Sequence, residues 1–378
     1  MKIVLVSDNY GSKSDGTAVT IHRLEASLIA LGHEVRIVSL GATGPHHYAL
    51  KERYTPLVTE VARKQKIRFA KFDRAVLTKA LTGVDLVHLA LPFQLERKTL
   101  KLCKELNIPT TGAFHLHPDN ILKNAGILKY IGLKQYIFWL WKVFFYKDLK
   151  HVHCPTVFAA SEMQKHHYPS TCHVISNGVP EFFSYDEALA KDKPQDGMFR
   201  ILMIGRLAAE KRQDLLIEAI QLSKHKNKIL VTFAGLGPRL KKYQKLATSL
   251  PNQARFDFFD QNQLKKEILT SDLYIHAAEV EIEGMSCLEA LSCGLVPLIG
   301  NAKESATKDF ALTEACLFES GNAHDLAKKI DYFIEHPDVL ASLKIAYIEF
   351  SKQYRMPVIM ELMTKMFQTA INEHHHVV

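Results

Sequence analysis

Short apolar runs alternate with amphipathic stretches along the whole chain. Residues 2–7 (KIVLVS) read as a buried parallel strand, and 34–40 (EVRIVSL) as the next. The segment between them reads as a glycine-bearing loop and an amphipathic helix closed by Gly32, so the chain opens with a βαβ unit. The alternation continues with a strand at 85–89 (DLVHL), a helix at 94–106, a strand at 109–114, and a strand and helix within HVHCPTVFAASEMQKHHY. Residues 173–180 (HVISNGVP) end in Asn-Gly and Pro, the chemistry of a turn and a natural hinge. After a polar linker through Asp196 the pattern starts afresh. Strands are expected at 199–204, 229–235, 255–259, 272–277 and 296–300, with helices at 213–223, 320–335 and 337–354. Near-continuous apolar strands separated by helices imply parallel sheets covered on both faces. The expected class is α/β, with two doubly wound domains.

Length agrees with that division, since 378 residues exceed what one hydrophobic core usually fills. The 47% hydrophobic and 23% charged residues fit a globular enzyme. A net charge of +8 points to an anionic partner, whether a membrane surface, a nucleotide or nucleic acid. The six cysteines, at 103, 154, 172, 287, 293 and 316, contain no C-x-x-C pair and suggest reduced, intracellular thiols. A lone Lys2 before IVLV does not read as a secretory signal. The most apolar segment, 136–146 (YIFWLWKVFFY), is interrupted by Lys142 and is shorter than the roughly 20 residues of a spanning helix. A cytoplasmic chain, peripheral on the inner face of the cell membrane, is expected.

Two elements of the first half carry the positive charge. Residues 62–79 (ARKQKIRFAKFDRAVLTK) place Val61, Phe69, Phe72 and Val76 on one helical face, with Arg63, Lys64, Lys71 and Arg74 spread over the other. That pattern fits an interfacial helix on anionic lipid, and equally a solvated helix covering the core. Residues 126–150 hold Trp139 and Trp141 among phenylalanines, tyrosines and lysines, which suits a membrane–water interface or packing against the first domain's core.

Candidate chemistry concentrates in the second half. Glu281 and Glu289 flank Gly284 in EVEIEGMSCLEALSCGLVPLIG, where a helix is expected to begin near Ser286. Its free N–H groups, with those of Met285 and Ser286 foremost, would face an anion while the two carboxylates grip sugar hydroxyls. A capped, solvated helix gives the same spacing. Arg206 and Lys211, in GRLAAEK, could reach one diphosphate from a loop before a helix, or simply be surface charge.

The Glu281-x7-Glu289 block and GRLAAEK resemble the signature of retaining glycosyltransferases of family 4, which have the GT-B fold of two Rossmann-like domains facing a cleft. The chain departs from that family in having Glu281-Ile282-Glu283-Gly284 where Glu-Gly-Phe-Gly is usual, which leaves both Glu281 and Glu283 as candidates for the sugar-contacting acid; the spacing to Glu289 favours Glu281. Gly16, after Asp15, resembles the glycine-bearing first loop, with one glycine where many members have two. FHLHPDN resembles the Phe-His-x-x-Pro-Glu-Asn phrase of lipid- and envelope-glycan-directed members, with Asp119 in place of the usual Glu. Gly235 and Gly237 resemble the Gly-x-Gly-Pro turn near the nucleotide.

The resemblance implies an acceptor domain over 1–178, a nucleotide-sugar domain over 179–352, and a terminal helix, 353–378, crossing back to the first. It implies that Glu289 holds ribose hydroxyls, Glu281 the transferred hexose, Arg206 and Lys211 the diphosphate, and His115 the sugar from the acceptor side. Glu289 and Lys211 are both expected to be exposed in an open cleft. No metal is needed in that scheme, and no Asp-x-Asp motif occurs. The expected reaction is glucosyl transfer from UDP-glucose to a membrane lipid such as diacylglycerol. The alternatives are synthesis of a capsule or other envelope polysaccharide on a lipid-linked carrier, or nucleotide binding without turnover. Nucleic acid is disfavoured because the basic residues form no recognisable binding module.

Overall fold

The computed structural model describes residues 1–12, 16–56, 59, 68–125 and 132–376, with the side chains of 123–125 left aside. It divides into two units, Met1–Asn177 with Met356–Val378, and Gly178–Arg355. The divisions fall at Asn177 and Arg355.

In the first unit the apolar runs become β1 (Lys2–Asn9), β2 (Glu34–Leu40), β3 (His47–Leu50), β4 (Leu86–Leu89), β5 (Thr110–Ala113), β6 (His151–Cys154) and β7 (Thr171–Val174). They form a parallel sheet in the order β3-β2-β1-β4-β5-β6-β7. The last seven positions of β1 are buried, as a strand covered by helices on both faces requires. The helix Gly16–Ala30 packs Ile21, Leu24 and Leu28 into the same core. The C-terminal helix Met356–His375 belongs to this unit. Its buried residues, Ile359, Met360, Met363, Met366, Phe367, Ala370 and Ile371, recur at helical spacing and share that core.

The second unit has β8 (Phe199–Ile204), β9 (Ile229–Ala234), β10 (Arg255–Asp257), β11 (Leu273–His276), β13 (Pro297–Gly300) and β15 (Leu317–Phe318), in the order β10-β9-β8-β11-β13-β15. A separate two-stranded piece pairs β12 (Val280–Glu281) with β14 (Glu304–Ser305). The strand order reverses beside β1 in the first sheet and beside β8 in the second. Such switch points open crevices beyond the carboxyl ends of the strands.

One expected element is corrected. Of the basic helix expected over 62–79, residues 62–67, with Arg63, Lys64 and Lys66, lie outside the described residues, and 68–73 are not helical. Arg53 N donates to Phe69 O and Lys71 N to Lys51 O, both at 2.7 Å, so this segment pairs with 51–53 as an extended edge. The helix starts only at Arg74, where the Asp73 side chain accepts from Ala75 N and Val76 N. Phe69, Phe72 and Val76 therefore do not form a helical stripe. The stretch 126–150 also needs dividing: 126–131 are outside the described residues, and the helix is Leu133–Phe144. Phe138 and Trp141 are buried, while Tyr136, Trp139 and Phe144 are 53%, 50% and 46% exposed. Among the described residues, no helix is long and apolar enough to cross a membrane.

Candidate functional site

The loop after β8 and the loop after β11 meet at the switch point of the second sheet. Gly205 N donates to Ala234 O at 2.9 Å, and Leu207 exchanges backbone bonds with Leu236 and Arg239, clasping the β8 loop to the one that carries Gly235 and Gly237. A Cβ on Gly235 would lie 2.2 Å from Gly205 O, and one on Gly237 2.3 Å from Leu207 O. Only glycine lets these two backbones approach so closely.

Within this frame Lys211 Nζ forms an ion pair with Glu281 Oε2. His276, the last residue of β11, stands 3.7 Å from the same carboxylate oxygen. Its other ring nitrogen is 3.1 Å from Tyr274 OH, which lies 3.0 Å from Ser286 Oγ. Burial, then the Lys211 charge, pushes the His276 pKa well below its usual value, so the ring is neutral. Burial likewise raises Tyr274 well above the phenol range. Arg206 reaches Glu210 at 2.6 Å, and Arg212, held at φ 57, pairs with Glu279 and Asp214.

Gly284 adopts φ +77 as the N-cap of the helix Met285–Ser292, and a Cβ there would fall 2.1 Å from Thr307 Cγ2. The first i to i−4 bond runs from Leu288 N to Gly284 O at 3.2 Å. The N–H groups of Met285 and Ser286 precede it, so the helix offers its positive end beside Lys211 and Glu281. Glu289 belongs to the inward side of this helix and is only 8% exposed. That corrects the expectation of an open position: the helix packs Cys287, Leu288, Ala290 and Leu291 into the core, and Glu289 is drawn in with them. The Lys211 side chain is 20% exposed, held down by its pair with Glu281. Glu283 is 3% exposed. Of the two candidate acids, Glu281 is the one that faces Lys211.

The remaining predicted residues belong to the first unit. Gly16 starts its helix with open space where a Cβ would stand, nothing lying within 4 Å, so sterics there do not demand glycine. His115 follows β5, half-buried, with its ring 5.1 Å from that of His153. Asp119 accepts from Lys134 Nζ at 3.0 Å, and His117 is fully buried, 3.5 Å from Glu162. Four residues of the site, His276, Tyr274, Glu210 and Arg212, are not singled out by sequence reasoning. The available signal for His276 was its place as the last residue of an apolar strand, directly before the acidic loop.

Two doubly wound parallel-sheet domains of this kind match the GT-B fold of glycosyltransferases. The family model described as "Glycosyltransferase Family 4" matches residues 14–181, and that described as "Glycosyl transferases group 1" matches 185–349. The chain belongs to family 4 of the GT-B glycosyltransferases. It is 23% identical over 318 residues to an alpha-monoglucosyldiacylglycerol synthase of Streptococcus pneumoniae, covering 80% of this chain and 71% of that one. It is 25% identical over 336 residues to a GDP-mannose-dependent alpha-(1-6)-phosphatidylinositol dimannoside mannosyltransferase of Mycobacterium tuberculosis, covering 86% and 84%. The fold matches sucrose-phosphate synthase from Thermosynechococcus elongatus with a TM-score of 0.80 at 14% identity, over 98% of this chain and 99% of that one. It matches Anabaena HepE in complex with UDP-glucose with a TM-score of 0.74 at 14% identity, over 98% and 100%.

Proposed function

We propose that the protein is a retaining hexosyltransferase that moves glucose from UDP-glucose to a membrane lipid such as diacylglycerol. The observation that carries the donor half of this reading is the meeting of Lys211, Glu281 and the N-terminus of Met285–Ser292 at one switch point. Lys211 and Arg206 hold the diphosphate, and the helix end adds its dipole; these groups neutralise the leaving diphosphate without a metal in the scheme. Glu281 takes hydroxyls of the transferred hexose and Glu289 those of the ribose. Bond breaking at the anomeric carbon sends its electron pair to the diphosphate, and the acceptor hydroxyl enters on the same face, its oxygen forming the new glycosidic bond as its proton passes to the departing diphosphate oxygen. In the first unit His115 contacts the sugar from the acceptor side.

The acceptor half rests on the first unit's surface and on the two relatives, whose names give them a diacylglycerol and a phosphatidylinositol glycolipid as products or acceptors. Tyr136, Trp139 and Phe144 present exposed rings on one helix with Lys142, the amphipathic chemistry that settles at a bilayer surface. With the net charge of +8, this supports a peripheral position on anionic lipid at the cytoplasmic face.

The relatives use different sugars, so a screen of hydrolysis and transfer with UDP-glucose, UDP-galactose, UDP-N-acetylglucosamine and GDP-mannose tests the donor. Diacylglycerol in vesicles and a polyprenyl-linked saccharide test the acceptor. The expected result is transfer from UDP-glucose to diacylglycerol with an α-linked product. Exclusive use of GDP-mannose, a β-linked product, or activity only on the polyprenyl carrier would overturn the corresponding part.

A further inference from the structure

Strands β4, β5 and β6 are neighbours, and each brings a histidine to one buried place in the first unit. His88 lies opposite Thr111 in the β4–β5 register, and His153 lies opposite Ala113 in the β5–β6 register, two residues before His115. One ring nitrogen from each of His88, His115 and His153 lies within 4.8 Å of the other two. His88 and His153 are 0% and 3% exposed. Nε2 of His88, Nε2 of His115 and Nδ1 of His153 are all buried without a hydrogen-bond partner.

The opposite ring nitrogens explain how the free ones are prepared. His153 Nε2 is 2.6 Å from Ile175 O, a carbonyl that can only accept, so the proton sits on Nε2 and the lone pair on Nδ1. His88 Nδ1 is 2.9 Å from Thr111 Oγ1, a hydroxyl that both donates and accepts, and the tautomer in which Nδ1 donates to it is the one with the lone pair on Nε2. Metal-binding histidines characteristically have this outer partner, which fixes the tautomer and the ring.

We infer that His88, His115 and His153 form a binding site for a divalent transition-metal ion of the zinc class, with three imidazole ligands and an open fourth position. Three orphaned nitrogens in one pocket are costly to desolvate, and one cation satisfies all of them. Zinc takes nitrogen at about 2.0–2.1 Å, which sets tetrahedral ligand atoms about 3.4 Å apart. A single water is the competitor, and it has two hydrogens for three lone pairs. The half-buried His115 gives the ion its way in. This site holds none of the diphosphate groups but shares His115 with the sugar contact proposed above, and it departs from the expectation that the chain binds no metal.

The test uses the full chain, stripped of metal, with His374, His375 and His376 replaced by Ala to remove an adventitious terminal site. Titration with Co²⁺ is expected to produce a visible ligand-field band that saturates at one equivalent and is displaced by Zn²⁺. Thr111→Val, an isosteric change that removes the outer partner of His88, should weaken Zn²⁺ binding about 10–100-fold. His153→Gln should weaken it further. No band, or equal Zn²⁺ affinity in the parent and both variants, would show the pocket to be a water site. Should a variant fail to fold, zinc-edge X-ray absorption on the parent decides, with three imidazole ligands expected and fewer than three overturning the site.

Discussion

Replacing Lys211 by Ala separates the ion pair's structural contribution from its chemical one. The Lys211 and Glu281 side chains are only 20% and 19% exposed, so the Coulombic gain of the pair is largely offset by the cost of desolvating both charges, and its net contribution to the fold is about 1 kcal/mol. For a unit of this size that corresponds to a fall in Tm of about 2–4 °C, leaving the protein folded at assay temperature. Loss of a positive charge from the leaving diphosphate costs more, about 10²-fold or greater in kcat, roughly 3 kcal/mol at the transition state. The converse change, Glu281→Gln, frees Lys211 from its partner. UDP should then bind about fivefold more tightly, the equivalent of the 1 kcal/mol pair, while sugar transfer falls because the hexose contact is gone. Circular dichroism melts, calorimetric titration with UDP and a UDP-release assay on the three proteins measure each quantity. Wild-type turnover from a folded Lys211→Ala protein would refute the phosphate assignment, and unchanged UDP affinity in Glu281→Gln would show that the pair does not gate the site.

Other consequences can be checked separately. Gly235→Ala places a methyl 2.2 Å from Gly205 O and should cost about 1–3 kcal/mol in urea unfolding, whereas Gly16→Ala should stay within about 0.5 kcal/mol; equal costs would contradict the packing argument. Charge reversal at Arg63, Lys64, Lys66, Arg68 and Lys71 should release the protein from anionic vesicles, each lysine or arginine contributing about 1 kcal/mol at the surface, and vesicle flotation of both proteins decides it. Trp139→Ala should weaken vesicle binding in the same assay. In the metal-free protein His153 has its folded pKa lowered by burial to about 4 against about 6.5 unfolded, so the unfolded chain binds the extra proton between these values. Stability should be intact above pH 6.5 and fall by roughly 3 kcal/mol on acidification to about pH 4. A His153→Gln protein with the same pH slope in denaturant titrations would exclude that group as the cause.

Hydrophobic periodicity alone determined most of the central strands, because a strand buried on both faces must be apolar along its length. Residues 34–40 and 199–204 coincide with β2 and β8 for that reason. The edge strands His47–Leu50 and Thr171–Val174 escaped it, since one of their sides lacks a neighbouring strand and tolerates polar residues. Local sequence also marked GRLAAEK and the Glu281–Glu289 block, whose residue types and spacing lie within single loops and helix starts. What no spacing contains is the meeting of these loops: Lys211 touches Glu281 across seventy positions because β8 and β11 are adjacent in the sheet. The burial of Glu289 was likewise decided by which side of its helix the core claims. The basic stretch at 68–73 had helical periodicity, yet pairing with 51–53 and the Asp73 cap overrode it. Histidines 88, 115 and 153 lie far apart in the chain, and only the register of β4, β5 and β6 brings one ring nitrogen of each within 4.8 Å of the others.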